Sequence, residues 1–594
     1  MRKYHILTRN HAQQAPSRII FYDTESDLLP VQDSNITRHR FKMVTACYVR
    51  LEKREIARER WVTTDRIEEF HDFILANTNT KSRLYIVAHN QHYDMITAKM
   101  LPFLEKNRFR IKTMIIDSGR VIVSANNGSR SIVFIDSFNF FKTSLAEIGK
   151  VLGLEKLKMP ENNDEKEWER YNRQDVEILK QYFLKYMRWV YDSNLGNFGF
   201  TLPSQSFNAF RHRFMTDEIH IHDNADAIQY ERNSFHGGRT EAFRIGDFTG
   251  DFHVLDFNSM YPAQMKDNQY PVRLLGRLYP NCDILKKTEK YCIVARVIVD
   301  TKEPVFGKVH NGKLVFPVGR FETYITTPEI RYAIENNIKI RILDGYVYEK
   351  SNIFESFVKY MYEKREECKV SKDVIGSNFY KLIMNSLFGK FAQRITAWEK
   401  YGKMKGYTGY GKYYDSDRKE MRLIRYVNGE GWIEKNQEES YNSFCCIASH
   451  VTAYARIALW KSIKKAGLEN VYYCDTDSLF VNRDGYNNLL TDLDDYRLGA
   501  LKHEKKVSHL VIRGLKDYEM DGYVKLKGVP LRNKNTIKLD ENSYSITVFP
   551  KLKTMIRKSS TGEYFTYVTK KTLSREYTKG TVSNTFVNPL IINE

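Results

Sequence analysis

Val471–Val481, VYYCDTDSLFV, is the stretch on which the reading of this chain turns. Two apolar, β-prone runs flank Asp475-Thr476-Asp477, the pattern of a tight hairpin, and the two-residue period of a strand sends both carboxylates to one side. Like charges that close repel, so the arrangement calls for a cation held between them and other acids. A lone Asp-x-Asp is most often a solvated turn. Flanks as apolar as YYC and LFV are not those of an exposed tip, and a third carboxylate is expected elsewhere in the chain.

The 594 residues predict three or four domains. Hydrophobic content of 42% and aromatic content of 13% are those of an ordered globular chain. Lys and Arg number 93 against 73 Asp and Glu, a net charge of +20 that favours a polyanionic partner. Nucleic acid fits better than a membrane, because no amphipathic basic helix stands out. The seven cysteines (Cys47, Cys282, Cys292, Cys368, Cys445, Cys446 and Cys474) form no CxxC pair and no ladder with histidine. That argues against a zinc or iron–sulfur module and for a reducing compartment. The first residues, MRKYHILTRNHAQQAP, lack a hydrophobic signal core, and no run approaches the ~18 apolar residues of a membrane span. The expectation is a soluble cytoplasmic monomer without internal repeats.

A second set of acids lies upstream. The strand-like run Arg18–Tyr22 leads into Asp23-Thr24-Glu25, again two acids two apart at a strand end. The apolar run Leu84–Ala88 ends in His89-Asn90-Gln91-His92-Tyr93-Asp94, and a helical stretch holds Tyr171-Asn172-Arg173-Gln174-Asp175, with Tyr171 and Asp175 on one face. An acid at a strand end is usually only a turn residue. Four of them, Asp23, Glu25, Asp94 and Asp175, on different elements suit an oxygen-ligand site for two Mg²⁺-type ions that activate a water on a phosphodiester, with Tyr171 orienting that water.

FYDTES, HNQHYD and YNRQD, in this order, resemble the three exonuclease motifs of family B DNA polymerases. The resemblance implies a ribonuclease H-like 3′→5′ proofreading domain in which His89, Asn90 and Tyr93 handle the frayed primer end. Lys142-Thr143-Ser144-Leu145-Ala146 resembles the Lys-x-x-hydrophobic-Ala segment of protein-primed members, whose lysine assists at this site. Ser137-Phe138 departs from the family's Ser/Thr-Leu primer contact, Phe138 keeping an apolar surface.

Further along, Phe235-His236-Gly237-Gly238 is similar to the Tyr-x-Gly-Gly/Ala motif that contacts the template, with Phe235 in the tyrosine's place. The third carboxylate follows: Asp256 ends a β-run in HVLDFNSMYP, which resembles Asp-x-x-Ser-Leu-Tyr-Pro. By that likeness Asp256 and Asp477 bind the two ions, Asp475 contributes secondarily, backbone amides after Asp256 meet the triphosphate, and Tyr261 excludes a 2′-OH. In the helical pair expected over 354–394, broken near Ile375-Gly376-Ser377, the residues Phe379, Ile383, Leu387 and Phe391 make a core stripe. Opposite them, KLIMNSLFG resembles the fingers motif Lys-x-x-x-Asn-Ser-x-Tyr-Gly. This assigns Lys381 to the triphosphate and Asn385 and Phe388 to the nascent base pair. A basic row, Lys359, Lys364, Arg365, Lys369 and Lys372, precedes it. Lys516-Asp517-Tyr518 resembles the Lys-x-Tyr motif that binds the primer, and Lys551, Lys553, Arg557, Lys570, Lys571, Arg575 and Lys579 fit a thumb gripping duplex backbone.

The expected fold is an α/β multidomain chain: a ribonuclease H-like exonuclease domain (1–198) followed by a right-hand polymerase. Its palm covers 199–300 and 395–500, its fingers 351–394 and its thumb 501–594. A linker is expected near Asn197–Ser206. Segments 301–350 and 401–439 stand where protein-primed members carry two terminal-protein-region insertions. The resemblance implies primer-template DNA, dNTPs, a terminal protein and a single-stranded DNA-binding protein as partners, with Mg²⁺ pairs at both sites and Mn²⁺ able to substitute. Two other readings stay open: a polymerase using nucleic-acid primers or none, and an idle single-strand binder that keeps the basic groove.

Overall fold

The computed structural model describes residues 2–117, 119–280, 283–416, 419–531 and 535–594; Cys282 lies outside them. The other six cysteines are free thiols. Three large sheets and a helical pair make the frame.

The N-terminal sheet has ten strands. At its centre Arg18–Pro30 runs parallel to Leu84–Ala88, which runs parallel to Ser131–Asp136. Ile19–Tyr22 of the first strand and the other two strands are buried on both faces, which is why they read as near-continuous apolar runs. The helix Glu165–Asp192 packs across the central strands and sets its Tyr171, Asp175, Ile178 and Tyr182 face inward. Its register brings Asp175 over Asp23 and Glu25, which lie in the middle of the first strand and not at its end, because pairing with Ile36–Glu52 carries that strand on to Pro30.

The central sheet has seven strands, in the order Thr240–Ala242, Val471–Asp475, Ser478–Asn482, Gly246–Phe257, Leu501–Gly514, Asp517–Met520 and Tyr523–Lys525. All its pairings are antiparallel, so the hairpin of the opening motif lies beside the strand that carries Asp256. The helix Cys445–Ala466 covers its back, with all but a few of its side chains buried.

Four boundaries differ from the sequence expectation. Residues 197–206 are not an exposed linker: Phe198, Thr201, Leu202, Gln205 and Ser206 are buried, and one hydrophobic core runs from the N-terminal sheet into the fingers. The fingers helices are Glu355–Val370 and Val374–Ser386, so the break falls at 371–373, before Ile375-Gly376-Ser377. Asp373 caps the second helix by accepting from the Gly376 amide at 3.0 Å, and a Cβ at Gly376 would sit 2.3 Å from the Asp373 carboxylate. The glycine there serves a cap rather than a break.

Segment 301–350, expected as an insertion, shares a five-stranded side sheet with residues before it, because Tyr270–Leu278 and Cys292–Thr301 pair with Lys339–Ser351. The expected thumb is distributed over four sheets, its first strands, within residues 501–525, belonging to the central one. Its strand Tyr564–Thr572 pairs with Ile36–Glu52 of the N-terminal sheet, its hairpin Gly580–Pro589 packs on the palm edge, and Ile591–Asn593 joins the side sheet beside Val318–Thr326. Local β-propensity does not say which sheet a strand joins.

Burial also fixes the charge state of several histidines. His39, His89, His92 and His450 have pKa values pushed down to about 4, each mainly by burial. A depressed histidine pKa gives stability that is complete above the unfolded value of ~6.5 and is lost as the pH falls through the folded value. These histidines therefore pull the melting temperature down between pH 6.5 and pH 4, against the opposite pull of buried carboxylates with raised pKa values such as Glu25 and Asp256. His450→Gln should make that decline shallower, by about 3 kcal/mol at most, and denaturation scans of both proteins across this range check it.

Candidate active sites

The first acidic cluster forms where three elements meet. Asp23 and Glu25 project from the first strand and Asp175 from the long helix, with one carboxylate oxygen of each within 4.8 Å of the others. Asp94 lies just outside this trio. It accepts hydrogen bonds from the Thr24 amide (3.1 Å) and hydroxyl (2.7 Å), which hold it against the same strand. Burial and then the neighbouring acids raise the pKa of Asp23, and burial followed by Asp175 takes Glu25 up to about 7. One oxygen of Asp175 is buried without a hydrogen-bond partner. Buried, mutually repelling carboxylates with an orphaned oxygen are what a hard divalent cation with oxygen ligands would satisfy.

The cation in direct contact with the trio among the described residues is Lys156, which the sequence reading missed. Its ammonium bonds to Asp175 and stands 4.4 Å from the Tyr171 ring centroid. Lys142, the lysine expected here, is exposed, and its amino group lies beside Gly119. Lys156 stands in an irregular stretch with no periodicity, so only the folded chain brings it to Asp175.

Beside the trio, Asp136 organises the predicted primer-end residues. It accepts from the amides of Asn90 (3.2 Å), Gln91 (3.1 Å) and Phe138 (2.9 Å). The left-handed backbone of Asn90 (φ 112°) turns the strand end into the short helix that carries Tyr93 and Asp94. His89 bonds to Ser137 Oγ (2.6 Å) and packs 4.2 Å from the Phe138 ring. Tyr93 bonds to Ser26 and meets Tyr564 of the C-terminal strand edge-on at 4.8 Å.

The second cluster is built by the opening hairpin. Thr476, with φ 69°, makes the tight turn; its amide donates to the Arg239 carbonyl (2.7 Å), and the Phe257 amide donates to the Asp477 carbonyl (2.9 Å). These bonds lock Asp477 beside the end of the Asp256 strand. Asp256 has its pKa raised to about 7 by burial and then by Asp477, and burial also raises that of Asp477. Asp475 has a different neighbourhood: Lys516 Nζ reaches both its oxygens at 2.7 and 2.6 Å, and Thr240 Oγ1 donates to it at 3.0 Å. The two strained acids and the neutralised one are thus distinct in kind.

Gly238 is needed for this closeness. A Cβ there would come within 2.7 Å of Thr476 Cγ2 and 3.0 Å of the Tyr261 hydroxyl. The preceding His236 and Gly237 carbonyls are held by Arg456 at 2.9 and 3.2 Å, itself paired with Glu329 at 3.0 Å in a buried ion pair. Arg456 was not picked out in the sequence, although a lone arginine within an apolar helix is a usable signal. Tyr261 packs 4.6 Å from the Phe388 ring, joining palm to fingers, while Phe235 is half-buried against the main core. Lys381 is exposed, and its charge acts favourably on both Asp256 and Asp477. It lines a cleft of about 440 Å³ with Arg365, Lys369 and Lys372. Asn385 donates to the Lys381 carbonyl at 2.8 Å. The amides of Phe257 and Asn258 are used by Asp477 and Ala500, so those available for a phosphate lie later, at the start of the helix Met260–Asp267. Tyr518 is buried against Tyr473 and Phe480, leaving Lys516 as the exposed part of its motif.

Between the N-terminal sheet and the four-stranded sheet of residues 394–439 runs a cleft of about 550 Å³. Trp398, Tyr410 and Trp432 line it together with Lys112, Arg425 and Lys553. Arg557 stands over Tyr410 at 5.3 Å, so the C-terminal segment reaches the four-stranded sheet here.

The chain thus carries two carboxylate sites, one on a mixed sheet and one on an antiparallel sheet faced by a helical pair. Residues 155–466 match the family of type B DNA polymerases, organellar and viral, and the chain belongs to that family. A DNA-directed DNA polymerase of Enterobacteria phage PRD1 is 30% identical over 50% of this chain and 52% of its own length. A DNA polymerase of Kluyveromyces lactis is 25% identical over 59% of this chain and 37% of its own. The chain thus spans about half or less of the length of these relatives. The fold is shared with Phi29 DNA polymerase solved with primer-template DNA and incoming nucleotides: TM-score 0.68, 16% identity, 94% of this chain and all of that one. No helix among the described residues is long and apolar enough to cross a membrane.

Proposed function

We propose that this chain is a template-directed DNA polymerase with a 3′→5′ proofreading exonuclease, and that it starts synthesis on a terminal protein. The observation that carries the polymerase reading is the pair Asp256 and Asp477. They are side by side, partly buried and raised in pKa, and make no ion pair among the described residues, while the neighbouring Asp475 is neutralised by Lys516.

Asp256 and Asp477 would hold two Mg²⁺ ions, and Asp23, Glu25, Asp94 and Asp175 a second pair. Divalent ions at such sites neutralise phosphate charge and favour the deprotonated attacking oxygen. At the polymerase site, Lys381 and the basic cleft behind it draw in the triphosphate. Tyr261, pinned between Gly238 and Phe388, leaves no room for a 2′-OH, and Asn385 and Phe388 border the nascent base pair. Gly237 and Gly238 let the template backbone approach, and Lys516 contacts the primer when DNA enters. At the exonuclease site His89, Asn90, Tyr93 and Phe138 hold the single-stranded end, Tyr171 orients the water, and Lys156 balances the charge of Asp175.

Aromatic and basic side chains in the 550 Å³ cleft suit a single strand, since any base can stack there. This supports a template path between the exonuclease domain and the second insertion, with strand displacement as its consequence. Residues 301–350 would contact the priming protein.

Extension of a labelled primer on a single-stranded template in Mg²⁺ tests the polymerase; no extension overturns the reading. Label from a dNTP appearing covalently on a Ser, Thr or Tyr of a partner protein tests the priming mode, and extension of free oligonucleotide primers alone would favour nucleic-acid priming. For the hydrolytic site, Lys156→Ala is expected to slow single-strand degradation about 10- to 100-fold, on the scale of a group that supports metal ligands. Lys142→Ala should cost much less in the same time course.

A further inference from the structure

The strand Arg18–Pro30 is paired with Ile36–Glu52 in register until Glu25, which faces Met43; the next pair is Ser26 with Phe41. Lys42 is therefore the extra residue of a β-bulge immediately opposite the acid cluster. Bulges of this kind re-aim a side chain and recur beside active sites. Here the ammonium of Lys42 is set 3.8 Å from the Trp168 ring centroid. Trp168 stands on the same helix as Tyr171 and Asp175, packs against Tyr171 at 5.9 Å, and is itself fixed by an indole N–H bond to the Asn162 carbonyl at 2.9 Å.

Two functions could explain a lysine so placed: it could offset the charge of the cluster, or it could bind something that enters it. Its acidic partner, Asp27, is 3.8 Å away and closer to Arg40, at 2.8 Å. One carboxylate thus serves two cations, and the Lys42 charge acts on Glu25 across the mouth of the trio without an ion pair to it among the described residues. Lys156, by contrast, is bound directly to Asp175 and committed to the cluster itself. An ammonium held over an aromatic platform, half-buried and loosely paired, keeps donors available for a phosphate oxygen.

We infer that Lys42, aimed by the bulge and braced by Trp168, binds a backbone phosphate of the single strand entering the Asp23–Glu25–Asp175 site. The ligand class is a single-stranded phosphodiester, and the inference rests on the exonuclease reading of that site.

The test compares wild type, Lys42→Met, which keeps the apolar stem on Trp168, and Lys42→Arg, on single-stranded oligonucleotides at several salt concentrations. Lys42→Met should lower kcat/KM about tenfold at low salt, mostly through KM, as for loss of one charged hydrogen bond. It should also flatten the dependence of log(kcat/KM) on log[salt] by about 0.7, the value for one phosphate contact on a single strand. Lys42→Arg should restore both. A neutral methylphosphonate moved through the 3′-terminal linkages should, at one position, cost the wild type what Lys42→Met loses and cost that variant nothing. Equal salt slopes, with every methylphosphonate affecting both proteins alike, would overturn the assignment and leave Lys42 as charge compensation. Wild-type protein that does not degrade single strands at all would overturn the exonuclease reading and this assignment with it.

Discussion

Asp477→Ala is expected to abolish primer extension, by roughly 10³-fold or more, while single-strand degradation continues at the wild-type rate. The magnitude follows from losing a ligand to ions that contribute several kcal/mol at the transition state. The selectivity follows from the fold, since Asp477 lies on the central sheet and Asp23, Glu25 and Asp175 meet on the N-terminal one. A control separates lost chemistry from lost structure. Asp256 is raised to about 7 by burial and by Asp477, so in the ion-free protein its strain is absent below the unfolded carboxylate pKa and grows as the pH rises through about 7. Removing Asp477 relieves part of it, and ion-free Asp477→Ala should melt no lower than wild type at pH 8. Loss of extension together with a lower melting temperature would instead point to a misfolded hairpin. Asp475→Asn should be milder, because Asp475 is already neutralised by Lys516.

Asp23→Ala combined with Glu25→Ala is expected to abolish single-strand degradation and to leave extension of a matched primer intact. The double variant removes two of the four proposed ligands and leaves Asp94 held by Thr24 and Asp175 paired with Lys156, too little charge to hold two divalent ions. Time courses of a labelled single strand, and extension from a mismatched primer, give the measurement. The mismatched end should persist in the product of the double variant and be corrected by the wild type. Loss of both activities would mean that the N-terminal sheet and the palm do not work separately. That outcome has a structural route, because a single hydrophobic core joins the N-terminal sheet to the fingers.

What could be read before folding was chemistry carried by short-range pattern. Each acid follows an apolar β-run or lies on an amphipathic face, so the side it projects to follows from periodicity. The stripe Phe379, Ile383, Leu387 and Phe391 is buried for the same reason. The linker expected near Asn197–Ser206 fails on the same ground: its glycine and polar residues read as loop, but Gln205 and Ser206 find buried backbone partners in Leu195 and Ile383.

The sequence by itself determined the two acid sets, the helix that carries Tyr171 and Asp175, the hairpin of VYYCDTDSLFV and the basic fingers face, because all rest on spacings of a few residues. Only the tertiary structure decided which lysine joins the first cluster, that Asp475 is neutralised by Lys516 while Asp256 and Asp477 remain strained, and that the last strands are shared among three sheets. Those outcomes depend on contacts between residues far apart in the chain. The partner of a charge or of a strand edge is set by where the folded backbone carries it, and no local pattern encodes that.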